Sequence, residues 1–235
     1  MEMERKPLKY DAVIFDLFGT LVDIFSLEEY RVFLNDLCAV LGVSPAAFTS
    51  RWDEKADDRA LGRVPVAEQL RALCRELGVD VTPAQLERAV EMRVDFVRGA
   101  LVPRDDAAAT LAALRERGFK VGVISDCSEE VVAAWPQTPL APLVHEAVLS
   151  AAVGMKKPDP CVYELACERL GVEPAACLFV GDGGSRELSG ATAVGMDAVL
   201  IRVPGDAGDD AFRRDAEEWD GIRVAALQEV LDLLE

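Results

Sequence analysis

Apolar and polar positions along this chain follow two different periods. Asp11-Ala-Val-Ile-Phe-Asp16 is a short apolar run closed by carboxylates, the pattern of a strand buried on both faces of a parallel sheet. Similar runs recur at Lys120 to Ser125, Glu146 to Ser150, Cys177 to Asp182 and Asp197 to Arg202. Between most of them apolar residues fall at helical spacing: Leu111 and Leu114; Val131, Val132 and Trp135; Val162, Leu165, Ala166 and Leu170. Strands alternating with helices predict an α/β fold built on a doubly wound parallel sheet. A final helix is expected at about Ala225 to Leu234.

The stretch from about Leu27 to Ala100 breaks this alternation. Leu27, Tyr30, Phe33, Leu34, Leu37, Cys38 and Leu41 share a helical face, and Val66, Leu70, Leu73 and Leu77 share another. Leu86, Ala89, Val90, Arg93, Val94 and Val97 mark a further helix, with Gly42, Gly62 and Gly78 near the expected helix ends. The chain therefore reads as a split core, residues 1–21 and 101–235, carrying an all-helical cap at residues 22–100. Pro136 to Pro142 reads as a proline-punctuated loop, and Pro204 to Gly221 as an acidic loop with one short helix. Asp206, Asp209 and Asp210 are read as solvated loop carboxylates rather than a metal cluster.

Charge narrows the range of partners. The chain has 235 residues, with 25 basic against 42 acidic side chains and a formal charge of -17. Such a surface repels nucleic acid and anionic lipid, so neither is an expected partner. An anionic substrate would need a locally positive pocket, which draws attention to single Lys and Arg residues. The 6 cysteines (Cys38, Cys74, Cys127, Cys161, Cys167 and Cys177) show no C-x-x-C pair, and most sit in apolar periodic segments. With no signal-peptide pattern and no apolar run of membrane-spanning length, a reduced cytoplasmic protein is expected. A monomer and a homodimer are equally compatible with the pattern.

In a doubly wound sheet, ligands bind beyond the carboxyl ends of the strands. Reactive residues collect there. The first strand ends at Asp16-Leu17-Phe18-Gly19-Thr20 and the second at Ser125-Asp126; Lys156-Lys157-Pro158-Asp159 follows the third, and Gly181-Asp182-Gly183-Gly184-Ser185-Arg186-Glu187 ends the fourth. Each block alone is a weak signal. In this order and placement they resemble the four motifs of the haloacid dehalogenase superfamily, whose helical cap is likewise inserted just after the first motif.

That resemblance implies a Rossmann-like core and a hydrolase working through Asp16 as covalent nucleophile, with an aspartyl-phosphate intermediate. It implies Mg2+ held by Asp16, the Phe18 carbonyl and Asp182, with Glu187 in place of the family's usual second aspartate. Ser125, Asp126 and nearby amides would meet the phosphoryl group, Lys157 would balance charge, and Thr20 would support the loop. The phosphorylated substrate would be a small molecule. Lys156 reads as a solvated neighbour of Lys157, His145 as structural, and Cys127 as outside the mechanism.

One departure changes the picture. Phosphatases of this superfamily usually carry an aspartate two residues after the nucleophile as general acid and base; here that residue is Phe18. A phenyl ring cannot protonate a leaving oxygen. Three other readings therefore stay open: a 2-haloacid dehalogenase, a phosphonatase using Lys55 as its Schiff-base lysine, and a non-catalytic binding protein on the same fold. In the cap, Arg51, Lys55, Arg59 and Arg63 are candidates for the far end of an anionic substrate, against a reading as solvated helix charges. Trp52 reads as cap core.

Overall fold

The computed structural model describes residues 9–23, 26–205 and 213–234. Its element order is β1 (Ala12–Phe15), α1 (Leu27–Leu41), α2 (Pro45–Glu54), α3 (Ala56–Ala60), α4 (Val66–Glu76), α5 (Pro83–Ala100) and α6 (Ala107–Glu116). There follow β2 (Lys120–Ser125), α7 (Glu129–Ala134), β3 (Glu146–Leu149), α8 (Ser150–Val153), α9 (Pro160–Leu170) and β4 (Cys177–Gly181). The chain closes with α10 (Glu187–Ala193), β5 (Asp197–Ile201), α11 (Arg214–Glu218) and β6 (Ile222–Val224).

The strands form one parallel sheet in the order β3-β2-β1-β4-β5-β6, so this is the expected α/β Rossmann-like fold. Chain direction across the sheet reverses between β1 and β4, which puts the binding crevice at the carboxyl ends of those two strands. Full burial of β1 explains its all-apolar sequence. Val13 and Phe15 face one core with Leu111 and Leu114 of α6, while Ala12 and Ile14 face another with Val162 and Leu170 of α9.

Helices α1 to α5 form an insertion with a core of its own, built on Phe33, Leu37, Trp52, Leu70 and Ala89. Capping boxes start two of these helices: Ser26 with Glu29 for α1, and Thr82 with Gln85 for α5. Trp52 is fully buried, and its indole N–H donates to the Tyr30 hydroxyl at 2.7 Å. No single helix among the described residues is long and apolar enough to cross a membrane.

Several segments differ from expectation. Ile222–Val224 adds a sixth strand; three residues, two of them exposed, are too few for an apolar period to show. The final helix is of the 3-10 type and spans Leu227–Leu234. The Pro136 to Pro142 loop contains 3-10 turns at Trp135–Gln137 and Ala141–Leu143. Asp206, Asp209 and Asp210 lie outside the described residues.

Candidate active site

Asp16 follows β1 directly, and the turn after it brings the chain back against β4. Gly19 makes that turn possible, with φ 84° and so little room that a Cβ there would lie 2.2 Å from Asp182 Oδ2. Arg104 braces the turn from outside. Its Nε donates to the Thr20 carbonyl and its Nη2 to the Gly19 carbonyl, both at 3.0 Å, and its Nη1 pairs with Asp23 at 2.8 Å.

Three buried carboxylates converge at the crevice. Ligand oxygens of Asp16, Asp182 and Glu187 lie within 4.8 Å of one another. Gly181 leaves space for Glu187, since a Cβ there would sit 2.2 Å from Oε1. Lys157 joins two members of the group, its Nζ donating to Asp16 Oδ1 and Glu187 Oε2 at 2.5 Å each. Asp126 positions that lysine by accepting its backbone N–H at 2.9 Å. Asp182 accepts from the Gly184 amide at 3.0 Å and from Arg213 Nε at 2.6 Å. Glu187 Oε1 accepts from the Gly183 amide at 3.0 Å.

Electrostatics follows from burial and then from crowding. Burial pushes Asp16 up to about 6, the Lys157 ammonium opposes that rise, and the Asp182 carboxylate adds to it. Burial and then Asp16 hold Glu187 well above the usual carboxylate range. Burial alone would pull Lys157 down, yet Asp16 and Glu187 together keep it well above its ordinary value. Crowding adds to burial: among the described residues three carboxylates face two cations, Lys157 and Arg213, so with every group ionised one negative charge is in excess. Such a cluster keeps a proton or takes a cation. An all-oxygen donor set suits a hard divalent cation such as Mg2+, and Asp16 Oδ2 is buried with no hydrogen-bond partner. The residues present fit that group.

Ser125 and Thr20 flank the carboxylates. The hydroxyls of both are buried without a hydrogen-bond partner, and α7 begins after Ser128 rather than Ser125. Two donors at the carboxyl ends of central strands can receive an oxyanion.

Above this floor lies a cavity of about 290 Å³ between core and insertion, lined by Phe18, Asp126 and Cys127 below and by Arg59, Arg93 and Phe96 above. Phe18 thus lies in the cavity wall. Burial raises the Cys127 thiol to about 12, which keeps it protonated. Arg59 stacks over Trp52 at 3.7 Å and donates to the Trp52 carbonyl at 2.7 Å and to Gln69 Oε1 at 3.0 Å. Among the described residues no carboxylate pairs with it. Burial pulls its pKa down to about 10, and the neighbouring Arg93 guanidinium adds to the fall.

The other basic candidates of the insertion point elsewhere. Arg51 and Lys55 both pair with Glu76, and Arg63 pairs with Asp58. Lys156 pairs with Asp57 across the gap between insertion and core, leaving Lys157 to the carboxylates. His145 Nδ1 accepts the Val121 amide at 2.9 Å, a structural contact.

Arg93, Arg104 and Arg213 were not singled out as site residues from the sequence. For Arg93 there was a signal, since it interrupts the apolar face of α5; it meets Glu130 of α7 at 2.7 Å, both side chains nearly buried. For Arg104 and Arg213 the sequence offers none.

Known proteins resemble this chain along most of its length. Glyceraldehyde 3-phosphate phosphatase of Methanopyrus kandleri is 31% identical over 165 residues, 69% of each chain. (S)-2-haloacid dehalogenase 4A of Burkholderia cepacia is 27% identical over 201 residues, 83% of this chain and 84% of its own. The solved 2-haloacid dehalogenase of Pseudomonas syringae pv. Tomato DC3000 superposes with a TM-score of 0.70 at 24% identity, covering 96% of this chain and 98% of that one; at this identity the likeness speaks for the fold. The family model for haloacid dehalogenase-like hydrolases matches residues 10–195, and the chain belongs to that family of hydrolases.

Proposed function

We propose that this hydrolase is a Mg2+-dependent phosphohydrolase of small phosphorylated molecules, working through an aspartyl-phosphate on Asp16. The observation that carries the reading is the buried triad Asp16, Asp182 and Glu187, whose excess negative charge suits a divalent cation. When bound there, Mg2+ would neutralise the repulsion between the nucleophile and an anionic phosphoryl group. Asp16 Oδ would attack phosphorus as the bond to the leaving oxygen breaks, and water would then hydrolyse the aspartyl-phosphate to release phosphate and restore Asp16. Lys157 meanwhile holds the carboxylate in place and offsets charge on the phosphoryl oxygens. The Ser125 and Thr20 hydroxyls would donate to those oxygens. Asp126 keeps the lysine aimed. The helical insertion would close over the leaving group as a cap and exclude water.

The cavity gives the substrate its outline. Its volume of about 290 Å³ suits a compact leaving group, and Arg59 favours one ending in an anion. Phe18 supplies no proton, so good leaving groups are favoured.

The test is hydrolysis of an aryl phosphate with Mg2+ or with chelator, beside Asp16→Asn. Metal-dependent turnover lost in the variant supports the reading; turnover of a 2-haloacid in chelator replaces it. That dehalogenase reading is kept because Phe18 and Phe96 make part of the cavity wall aromatic beside two guanidinium groups.

A further inference from the structure

The second cation of the carboxylate cluster comes from a part of the chain that reads as an acidic loop. Arg213 is 2% exposed, and its guanidinium rests on Asp182. The short helix that follows it, α11, is fastened to the loop after β4. The Asp215 amide donates to the Gly183 carbonyl at 3.1 Å, and the Asp215 carboxylate accepts from the Ser189 amide at 2.9 Å and hydroxyl at 2.5 Å. Contact there is close, since a Cβ on Gly183 would meet the Ala216 nitrogen at 2.8 Å. Arg213 also reaches the loop after β1, its Nη2 lying 3.2 Å from where a Cβ of Gly19 would stand. One side chain therefore sits between the two loops that carry Asp16 and Asp182.

From this placement we propose that Arg213 is a resident counter-cation of the triad, sharing the Asp182 carboxylate with a divalent cation and holding the affinity of this chain for that cation low. The inference rests on the phosphohydrolase reading for the identity of the cation. Two effects oppose each other. A donor behind a metal ligand orients it, and losing such a donor typically costs about 10–100-fold in metal affinity. A guanidinium drawing on the same carboxylate repels the incoming cation, strongly so in a buried site. Repulsion wins here, because the Gly184 amide and the tight fit against Gly19 keep Asp182 oriented without Arg213. Among the described residues, and with every group ionised, removing Arg213 also raises the excess negative charge of the cluster from one to two. A weakly held cation makes turnover follow the free Mg2+ concentration instead of saturating at trace levels.

Direct binding of Mn2+, followed by loss of the free-ion electron paramagnetic resonance signal, tests the inference without any substrate. The proteins compared are wild type, Arg213→Met, Arg213→Gln and Arg213→Lys, each checked for folding by circular dichroism. With the repulsion relieved, the uncharged variants are expected to bind Mn2+ with Kd at least about tenfold lower than wild type, and Arg213→Lys to stay near it. Arg213→Gln keeps a donor for Asp182 and serves if Arg213→Met does not fold. Equal or weaker Mn2+ binding by the folded uncharged variants overturns the inference, as does absence of uptake by every protein. Aryl phosphate hydrolysis by wild type is scored separately. If it fails while the affinity order holds, the phosphohydrolase reading falls and the assignment of Arg213 stands; turnover with the order reversed has the opposite meaning.

Discussion

The floor and the roof of the crevice are built on different principles. The floor is set by backbone: Asp16 and Asp182 follow directly from β1 and β4, and Lys157 is aimed by Asp126. Its charges are paired within about 3 Å and buried. The roof is set by packing, with Arg59 lying flat on Trp52 and Arg93 held by Glu130. On the proposed reading, chemistry belongs to the floor, and choice of substrate to the roof, whose side chains can be exchanged without disturbing the sheet.

The severest challenge to this division is Asp16→Asn. If Asp16 is the nucleophile proposed above, its loss should lower aryl phosphate turnover by at least about 10³-fold while circular dichroism stays unchanged. Residual turnover within tenfold of wild type would move the chemistry away from the floor.

Phe18 belongs to both parts, following the nucleophile yet lining the cavity. Phe18→Asp should raise alkyl phosphate hydrolysis by about 10²-fold and narrow the preference for aryl over alkyl esters, measured as kcat/KM on matched pairs. Equal wild-type rates on such pairs would reveal a general acid elsewhere.

On the roof, Arg59→Met should raise KM about tenfold for a phosphate ester ending in a carboxylate, leaving kcat and the neutral amide analogue unchanged. A loss shared by both esters would mean that Arg59 supports packing rather than substrate.

A pH series sharpens the account of the floor. In chelator Asp16 titrates at about 6, above its ordinary 3.8, so the folded chain binds more protons than the unfolded chain between those values. This group's contribution to stability therefore falls as pH rises from about 4 to about 6. The urea midpoint of wild type relative to Asp16→Asn should decline across that window, and Mg2+ should flatten the decline. A difference that rises with pH would contradict the burial described for Asp16.

The smallest effects are expected at Arg51, Lys55 and Arg63, whose partners are surface carboxylates. Alanine at each should change stability by no more than about 0.5 kcal/mol and leave KM unaltered.

The same division explains what could be read in advance. A strand buried on both faces must be apolar and must stop at a polar residue, so β1, β2 and β4 and the side chains at their ends are visible in the sequence. Residues of the roof depend on helix phase. Arg51, Lys55, Arg59 and Arg63 repeat every four residues, as if along one helix face, but α2 ends at Glu54 and α3 begins at Ala56. The break at Lys55 turns Arg59 toward the cavity and leaves Arg51 and Lys55 on Glu76. Arg213 is hidden for another reason: its role depends on where α11 docks, and a short polar helix carries no period.

Arg104 has one more consequence. It lies just beyond the point where the chain returns from the helical insertion, and it grips Gly19, Thr20 and Asp23 just before the chain departs into it. Val22 and Pro103 also form an isolated antiparallel bridge, so the outgoing and returning strands are clasped at their root. Motion beyond that clasp need not reach the nucleophile. The insertion can thus be treated as a cassette: a lid of different shape, spliced between Asp23 and Val102, would inherit the same reactive floor.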